Sequence, residues 1–230
     1  MNNESMDVRN KIIDAAHHMF AEKGYPRTTI NDIITQAKCS KGGFYHHFAN
    51  KGELMDAILN SYVSELEVEL FKLDTENVFE ALGNVIFTIN SIKSSKMNEW
   101  PKLIKILSFP ENEIFIRRMA DSFSEMMVRL YTDIFKKGNQ EKAFVVEHPD
   151  YLASLWTREL LEVYSRANQV VFIGSEESTR EFLELVSYSE EILNATLKDS
   201  CGEVRFKDEM AEYISKAMKA YREIKNVIDL

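Results

Sequence analysis

The segment from Ser40 to Lys51 concentrates hydrogen-bond donors, cations and two adjacent glycines. Ammonium, imidazole and hydroxyl groups suit phosphate oxygens, and a lysine can also reach the O6 and N7 atoms of guanine. Gly42 and Gly43 each cost about 1 kcal/mol relative to alanine inside an exposed helix, and close approach of the backbone to another molecule would explain that cost. The alternative is that the glycines only loosen a turn. These residue types favour binding of a polyanion.

Charge supports this hypothesis locally and opposes it globally. The 230-residue chain carries a formal net charge of −9, but residues 1–60 hold seven basic and seven acidic side chains, so the whole excess of acid follows them. Between Gly24 and Lys51 the single acid, Asp32, faces four basic side chains. Local charge decides association with nucleic acid. If charge were the only clue, a chance cationic run on an ordinary surface would be the simpler interpretation.

Helical periodicity defines the elements that position this segment. Apolar residues recur at three- and four-residue steps and no segment sustains the alternation of a strand, so the predicted fold class is all-α. The first helix is predicted from about Met6 to Lys23 and ends at Gly24, because glycine is the usual residue at the left-handed position after a helix. Its predicted buried residues are Ile12, Ile13, Ala16, Met19 and Phe20.

Capping residues mark three further helices. Thr29 is a predicted N-cap with Asp32 three residues later, an approximate capping box for a helix of about two turns. Ser40 is the predicted N-cap of a short third helix that runs to about Phe48. Another capping box, made of Asn50 and Glu53, starts a longer fourth helix. Two short helices joined by a tight turn match the helix-turn-helix arrangement, whose second helix enters the major groove by its N-terminal end. The candidate recognition helix is therefore Ser40 to His47.

A resemblance to a known family is carried by residues 24–54, which have the sequence GYPRTTINDIITQAKCSKGGFYHHFANKGEL. This stretch resembles the N-terminal domain of the TetR family of bacterial transcriptional regulators, over about fifty residues in all. The matching positions are Gly24, Tyr25, Thr28, Thr29, Ile30, Ile33, Ala37, Ser40, Gly42, Tyr45, Phe48, Lys51 and Leu54. The resemblance implies a bacterial regulator whose partner is a double-stranded DNA operator.

The resemblance also implies roles for individual residues. Base edges are the expected partners of three residues near the start of the recognition helix, Lys41, Gly42 and Gly43. The sugar-phosphate backbone is the expected partner of Thr29, Tyr45, His46 or His47, and Lys51. Thr28 and Ser40 complete the predicted DNA-binding set.

Two positions depart from the family's pattern. Lys38 stands where the family commonly has a glycine between the two helices, which predicts a less comfortable backbone or a slightly longer second helix. Cys39 stands where a small aliphatic residue is usual and is expected to pack as a small hydrophobe. Cys39 and Cys201 are too few for a disulfide framework, so both are predicted to be buried thiols, consistent with a reducing compartment.

Beyond about Asp74 the resemblance implies only a general plan, a larger helical domain that binds a ligand and pairs with a second subunit. The predicted domains are therefore residues 1–50 for DNA binding and residues 51–230 for ligand binding and dimerisation. Gly138, Gly174 and Gly202 mark predicted helix ends. The predicted helices run from Thr75 to Ser95, Trp100 to Phe109, Glu111 to Lys137, Pro149 to Phe172, Ser175 to Asp199 and Lys207 to Val227.

Bulky aromatic and methionine side chains concentrate between Glu76 and Phe172, where they could line an apolar pocket or pack as an ordinary core. The candidate ligand contacts are Trp100, Phe123, Met127, Trp156, Glu159 and Tyr164. A buried carboxylate at Glu159 or Glu162 would favour a cationic, lipophilic ligand, whereas solvated glutamates would indicate nothing about the ligand.

By analogy with the family, the helices from Pro149 to Phe172 and from Ser175 to Asp199 are expected to pair across a two-fold axis. The implied function is a repressor that binds a palindromic operator as a homodimer and is released by a small, apolar effector. The alternative is a helical ligand sensor that acts through a protein partner instead of DNA. This alternative predicts an N-terminal domain without the basic side chains found between Gly24 and Lys51.

Catalysis is the competing class, but the sequence carries no GxSxG, P-loop or HExxH motif and no ExxH pair of the helical di-iron type. His18 and Glu22 lie four residues apart and could form half of a metal site, although a surface pair is the simpler interpretation. No catalytic residue, metal or cofactor is therefore assigned.

The longest uncharged apolar stretch, Ala81 to Ile92, is shorter than the ~18 residues that suggest a membrane span, and the N-terminus lacks a signal pattern. The chain is expected to be cytoplasmic, with no membrane partner.

Overall fold

The computed structural model describes residues 3–73, 76–95 and 113–228. Within these ranges the regular elements are all α-helices, apart from one isolated antiparallel bridge between Val145 and Lys198. The helices are α1 Asn3–Lys23, α2 Ile30–Ala37, α3 Lys41–His47, α4 Lys51–Leu70, α5 Val78–Ser95, α6 Glu113–Gln140, α7 Pro149–Ile173, α8 Glu176–Ala195 and α9 Lys207–Ile228. The prediction of an all-α fold is confirmed.

Most predicted helix boundaries lie within a few residues of the observed ones. The prediction from Ser175 to Asp199 was too long, because α8 ends at Ala195 and the chain then turns, with Asp199 in the left-handed region at a φ of 51°. The predicted helix from Trp100 to Phe109 lies outside the described residues. None of the helices in the described ranges is long and apolar enough to cross a membrane.

Gly138 is not a helix end, contrary to the prediction. It lies inside α6, where an added Cβ would come within 2.1 Å of Cζ in the buried ring of Phe144. The glycine therefore makes room for this ring instead of stopping the helix. Gly174 does end α7, with a φ of 70° and its N–H donating to the carbonyl oxygen of Val170 at 2.9 Å.

The described residues form two compact units, the first comprising residues 3–65 and 113–123 and the second residues 66–73, 76–95 and 124–228. The first unit has one apolar core that joins α1, α2, α3 and the start of α4. Its fully buried residues include Ile12 and Phe20 of α1, Ile33 of α2, Phe44 of α3, and Leu54 and Met55 of α4. The domain boundary at residue 50 stays a prediction, but this core extends beyond it.

The core of the first unit fixes the orientation of the short helices. Ile13 and Met19 of α1, which were predicted to be buried, are only partly so and pack at its margin. Each fully buried aliphatic or aromatic side chain contributes about 1.5–3 kcal/mol relative to an exposed one. Because α3 has only seven residues, its position depends on Phe44 and on the adjoining Phe48 more than on helix propensity.

The second unit is a helical bundle in which α9 contacts α5, α7 and α8, and α7 also packs on α8. Its aromatic centre contains Tyr131 and Phe135 of α6 against Trp156 of α7, with ring centroids 5.6 Å and 5.2 Å from that of Trp156. The indole N–H of Trp156 donates to Oγ1 of Thr196 at 3.0 Å, so this large ring is buried with its polar atom paired.

The two cysteines are not both buried as predicted. Cys39 is half-buried against the core of the first unit, but Cys201 is exposed in the segment between α8 and α9. That segment is held through its backbone, since the Cys201 N–H donates to the carbonyl oxygen of Ala143 at 3.1 Å. The thiol of Cys201 is therefore not what holds this segment in place.

Candidate nucleic-acid interface

The start of α2 is held by a reciprocal capping box, as predicted. The N–H of Asp32 donates to Oγ1 of Thr29 at 3.2 Å, and the N–H of Thr29 donates to the Asp32 carboxylate at 2.7 Å. Lys23 forms a 2.6 Å salt bridge with the same carboxylate. The hydrogen bonds from Lys23 and Thr29 hold the pKa of Asp32 well below its usual range. Thr29 itself remains exposed beside this cap.

The turn between α2 and α3 adopts the less comfortable of the two predicted backbones. Lys38 lies in the left-handed region, with φ 52° and ψ 40°, and its N–H donates back to the end of α2. The second helix is therefore not extended, because Ala37 is its last residue. A lysine at this conformation costs about 1 kcal/mol relative to glycine.

Ser40 caps α3 as predicted, because its Oγ accepts the N–H of Gly43 at 2.9 Å. The two glycines differ in their surroundings. A Cβ at Gly43 would lie 3.2 Å from Ser40 Oγ, whereas one at Gly42 would meet its nearest atom, the same Oγ, only at 4.0 Å. Contacts within the protein therefore explain a small residue at Gly43, where a side chain would crowd the Ser40 cap. They do not explain the glycine at the exposed Gly42.

The other side chains predicted on α3 form an exposed polar surface. Lys41 and His46 are exposed, and Tyr45 is 47% exposed with its ring against the edge of the buried Phe44. His47 is half-buried, and desolvation, helped by the nearby charges of His46 and Arg9, lowers its pKa below the usual value. His46 is thus the more exposed of the two imidazoles.

Thr28 is a correction to the predicted set. Its side chain is 1% exposed, and its hydroxyl donates to the carbonyl oxygens of Gly24 at 2.8 Å and Met19 at 3.2 Å. The hydroxyl closes the turn after α1 and is not available to a phosphate. Thr28 and the exposed Thr29 are neighbours in the sequence motif. Their spacing alone could therefore not show that one hydroxyl is buried and the other is available to a phosphate.

Lys51 also has internal partners. Its ammonium donates to the carbonyl oxygens of Tyr25 at 2.7 Å and Thr28 at 2.9 Å and approaches that of Pro26 at 3.5 Å. The same group lies 4.2 Å from the centroid of the Tyr25 ring. Partial burial lowers the pKa of Lys51. In this structure Lys51 ties the start of α4 to the turn before α2.

The predicted ligand contacts are only partly brought together. Trp156 and Glu159 of α7 line one cavity with Leu82 and Ile86 of α5. This cavity has a volume of about 10 Å³, roughly the space of one water molecule. Tyr164 is buried on the same helix two turns beyond Trp156, and Met127 is buried in α6. Phe123 is half-buried in the first unit, and Trp100 lies outside the described residues.

The two glutamates of α7 also differ. Glu162 is exposed and pairs with Arg166 at 2.7 Å, whereas the half-buried Glu159 accepts a short hydrogen bond from Ser189 of α8. His18 and Glu22 form an exposed pair with 3.6 Å between Nε2 and Oε2. In the part of the chain that the structure describes, no three His, Cys, Asp or Glu side chains are grouped to hold a metal.

The second unit contains a polar cluster that was not predicted from the sequence, formed by Asn90 and Lys93 of α5, Tyr164 of α7 and Tyr213 of α9. A signal for it was present, because Asn90 and Lys93 continue the line of Leu82 and Ile86 on one face of α5. Helical spacing therefore predicts two polar side chains facing the interior of the bundle.

Comparison with known proteins identifies the first unit. The family model described as bacterial regulatory proteins, tetR family, matches residues 12–58, which contain the last part of α1, all of α2 and α3 and the start of α4. Among curated proteins, the HTH-type transcriptional repressor KstR2 of Rhodococcus jostii is 26% identical over 144 residues, covering 60% of this chain and 71% of that protein.

Solved structures extend the similarity to the fold of both units. The structure titled as the SmeT–triclosan complex covers 84% of this chain and 92% of its own, with a TM-score of 0.58 and 19% identity. A TetR-family transcriptional regulator from Pectobacterium atrosepticum covers 86% and 97%, with a TM-score of 0.53 and 20% identity. With the family model on the capped helices and a helical bundle beyond them, this chain is a transcriptional regulator whose residues 12–58 form a domain of the bacterial regulatory proteins of the tetR family.

Proposed function

We propose that this protein is a repressor that binds a palindromic operator as a homodimer, with α3 in the major groove, and that a small effector releases it. The observation that carries the proposal is the exposed N-terminal end of α3. Lys41 and Gly42 are exposed there, while Phe44 and the Ser40 cap hold the helix itself in place. A fixed helix with an open, cationic N-terminal end is what major-groove recognition requires.

The DNA contacts divide into two groups. Lys41, Gly42 and Gly43 face base edges in the proposed complex, where a lysine can donate to guanine O6 and N7. Thr29, Ser40, Tyr45 and His46 face phosphates, since hydroxyl and imidazole groups are suitable donors. Lys38 adds a positive charge beside α3, and neither Lys38 nor Lys41 has a salt-bridge partner among the described residues. Lys51 acts by positioning the turn before Thr29.

An apolar face on α7 and α8 supports the homodimer. Leu155 on α7 is exposed, as are Tyr188 and Ile192 on α8, where Tyr188 is 63% accessible. Trp156 bonds to Thr196 and Glu159 to Ser189, so the two helices pack side by side and run antiparallel. A second copy is the proposed occupant, because a two-fold axis would present the same face from each subunit and match a palindromic operator.

The effector site is proposed in the second unit, at the cavity lined by Trp156 and Glu159. Its volume of about 10 Å³ is too small for an organic molecule, so the lining side chains must move apart on binding. The relative KstR2 is named a repressor, and SmeT was solved with triclosan. Both names support a repressor with a small-molecule effector. We place this regulator in the cytoplasm and assign it no catalytic reaction.

Selection from sheared genomic DNA tests the proposal. The protein is unfolded and refolded to remove bound small molecules, and the fragments that it retains are sequenced. The expected result is an enriched inverted repeat with half-sites about 34–36 Å apart, or a multiple of that spacing. The Lys41→Ala variant serves as the matched control and should lose the enrichment. A folded dimer that enriches no repeat would contradict the proposal and favour a sensor that acts through a protein partner.

A further inference from the structure

A half-buried cation on α5 of the second unit lies against two tyrosine rings, without an acidic partner among the described residues. The Nζ atom of Lys93 on α5 lies 4.1 Å from the ring centroid of Tyr164 on α7 and 5.2 Å from that of Tyr213 on α9. Among the residues that the structure describes, no carboxylate forms an ion pair with it. Burial lowers its pKa to about 8. Two tyrosine rings stabilise an ammonium group less than a carboxylate partner would stabilise it.

A second polar group in the same cluster also lacks a partner. The hydroxyl of Tyr213 is buried, with the side chain only 1% exposed, and it has no hydrogen-bond partner among the residues that the structure describes. The neighbouring polar groups are already paired. Tyr164 donates to Oδ1 of Asn90 at 2.6 Å, and the Asn90 amide donates to the carbonyl oxygen of Glu209 at 3.2 Å. Buried polar groups without partners are rare, so this cluster has unused capacity for a ligand.

The unused groups share one property, which is that both can donate a hydrogen bond. The Lys93 ammonium can only donate, and the Tyr213 hydroxyl can donate as well as accept. A ligand that satisfies both must therefore present acceptor atoms, and a negatively charged acceptor would also neutralise Lys93. A carboxylate has these properties, with two oxygens for two donors.

The apolar surroundings of the cluster indicate what the rest of the ligand is like. Leu82 and Ile86 of α5 line the cavity that also contains Trp156 and Glu159. Lys93 lies on the same face of α5, eleven residues after Leu82 and seven after Ile86. On α7, Tyr164 follows Leu160 of the cavity wall by four residues. The cluster therefore lies about 10 Å along α5 from the cavity, at a rise of about 1.5 Å per residue.

We propose that Lys93 and Tyr213 bind the carboxylate of an amphipathic organic acid whose aromatic or aliphatic body enters the cavity between α5 and α7. This inference names the chemical class of the effector and so rests on the proposed function. An acidic effector is the opposite of the cationic ligand that was expected if Glu159 or Glu162 were buried. The carboxylate of Glu159 on the cavity wall already accepts a hydrogen bond from Ser189, whereas the Lys93 ammonium forms no ion pair with a carboxylate in the described part of the chain.

Matched pairs of acids and amides test the inference on the full-length protein without DNA. Isothermal titration calorimetry compares 2-naphthoate and decanoate with 2-naphthamide and decanamide, which have the same apolar bodies but no charge. The acids are expected to bind at least tenfold more tightly than the amides. In Lys93→Met this preference should disappear while amide binding is retained, and in Tyr213→Phe the acid affinity should fall severalfold. Lys136→Met, at an exposed lysine of α6, should behave as the natural protein does.

Several results would overturn the inference: equal binding of acids and amides, unchanged acid binding by Lys93→Met, or no binding of any acid at 1 mM. Alkylamine binding that depends on Glu159 would also overturn it. Circular dichroism checks that each variant is folded. Failure of acid binding leaves the operator selection unaffected, so the two proposals can fail separately. Acid binding that depends on Lys93 but does not dissociate the operator complex would support the site and contradict its role in release.

Discussion

Lys51 and Thr28 are joined by a hydrogen bond of 2.9 Å from the ammonium of one to the backbone carbonyl oxygen of the other. Together with the bond to Tyr25, this contact links the first turn of α4 to the residues just before α2. Thr29, the cap of α2, is the next residue after Thr28. The geometry therefore makes Lys51 a positioning residue for one edge of the DNA-binding surface.

We expect Lys51→Met to lower the free energy of unfolding by about 1–2 kcal/mol, because it leaves partly buried carbonyl groups without a partner. Operator affinity should fall, but the slope of log affinity against log salt should stay the same, because no phosphate contact is lost. Lys41→Ala is the matched comparison and should reduce that slope by about 0.9 with little change in stability. Chemical denaturation and salt-dependent binding measure both effects. A slope reduced by about one in Lys51→Met would show that Lys51 contacts phosphate, as the family resemblance implies.

Gly42→Leu should abolish operator binding while leaving the protein as stable as before, or slightly more stable. A Cβ at Gly42 would meet no atom closer than Ser40 Oγ at 4.0 Å, and leucine favours helix over glycine by up to about 1 kcal/mol. In the major groove the same side chain would keep α3 away from the bases. Gel-shift and thermal unfolding experiments on one preparation provide the measurement. Gly43→Leu is a poorer test, because its side chain also crowds the Ser40 cap. Retained affinity in Gly42→Leu would exclude close approach at this residue.

Tyr188→Glu should raise the dissociation constant of the dimer at least tenfold. The substitution places a charge among the exposed apolar residues of α7 and α8, where it would lose hydration on association. Phe87→Glu on α5 replaces a similarly exposed aromatic residue outside that face and should leave the dimer intact. Sedimentation velocity over a range of concentrations distinguishes the two. Equal behaviour of both variants would place the interface elsewhere.

Asp32→Asn should destabilise the protein at neutral pH, and the difference from the natural protein should shrink below pH 4. The pKa of Asp32 is lowered in the folded state by Lys23 and Thr29, so its contribution is present above the unfolded-state pKa and is lost as pH falls. Thermal unfolding between pH 2.5 and 7 gives both curves. A constant difference across that range would show that the charge of Asp32 contributes nothing to the cap.

Gly138→Ala should destabilise the protein by at least 1–3 kcal/mol, because the new methyl group would overlap the buried ring of Phe144. Phe144→Leu alone should also be destabilising, but the double variant should lose less than the sum of the two single changes. Urea denaturation of the four proteins completes the cycle. Strict additivity would mean that the ring does not oppose the substitution.

Features that depend on neighbouring residues could be predicted from the sequence. Thr29 and Ser40 cap their helices through groups three residues away, and Gly174 ends α7 by its own backbone conformation. Roles that depend on distant partners could not be predicted. Spacing gave no sign that Lys51 would bond to Thr28, 23 residues earlier, or that Gly138 would face the ring of Phe144.

The same limit applied to the candidate sites. Thr28 and Thr29 are adjacent and of the same type, but only the packing of α1 shows that the first is buried and the second is not. The cluster around Lys93 required contacts among α5, α7 and α9, which are far apart in sequence. Periodicity could place Lys93 on the inner face of α5, but it could not provide the tyrosine rings or the unpaired hydroxyl.

The left-handed conformation of Lys38 has a consequence for how this regulator could be tuned. A single Lys38→Gly substitution would relax the backbone and, in the same step, remove a positive charge next to α3. Thermal robustness and attraction to DNA are therefore coupled in opposite directions at one residue. A substitution at this position would therefore gain stability only by giving up part of the charge that attracts DNA.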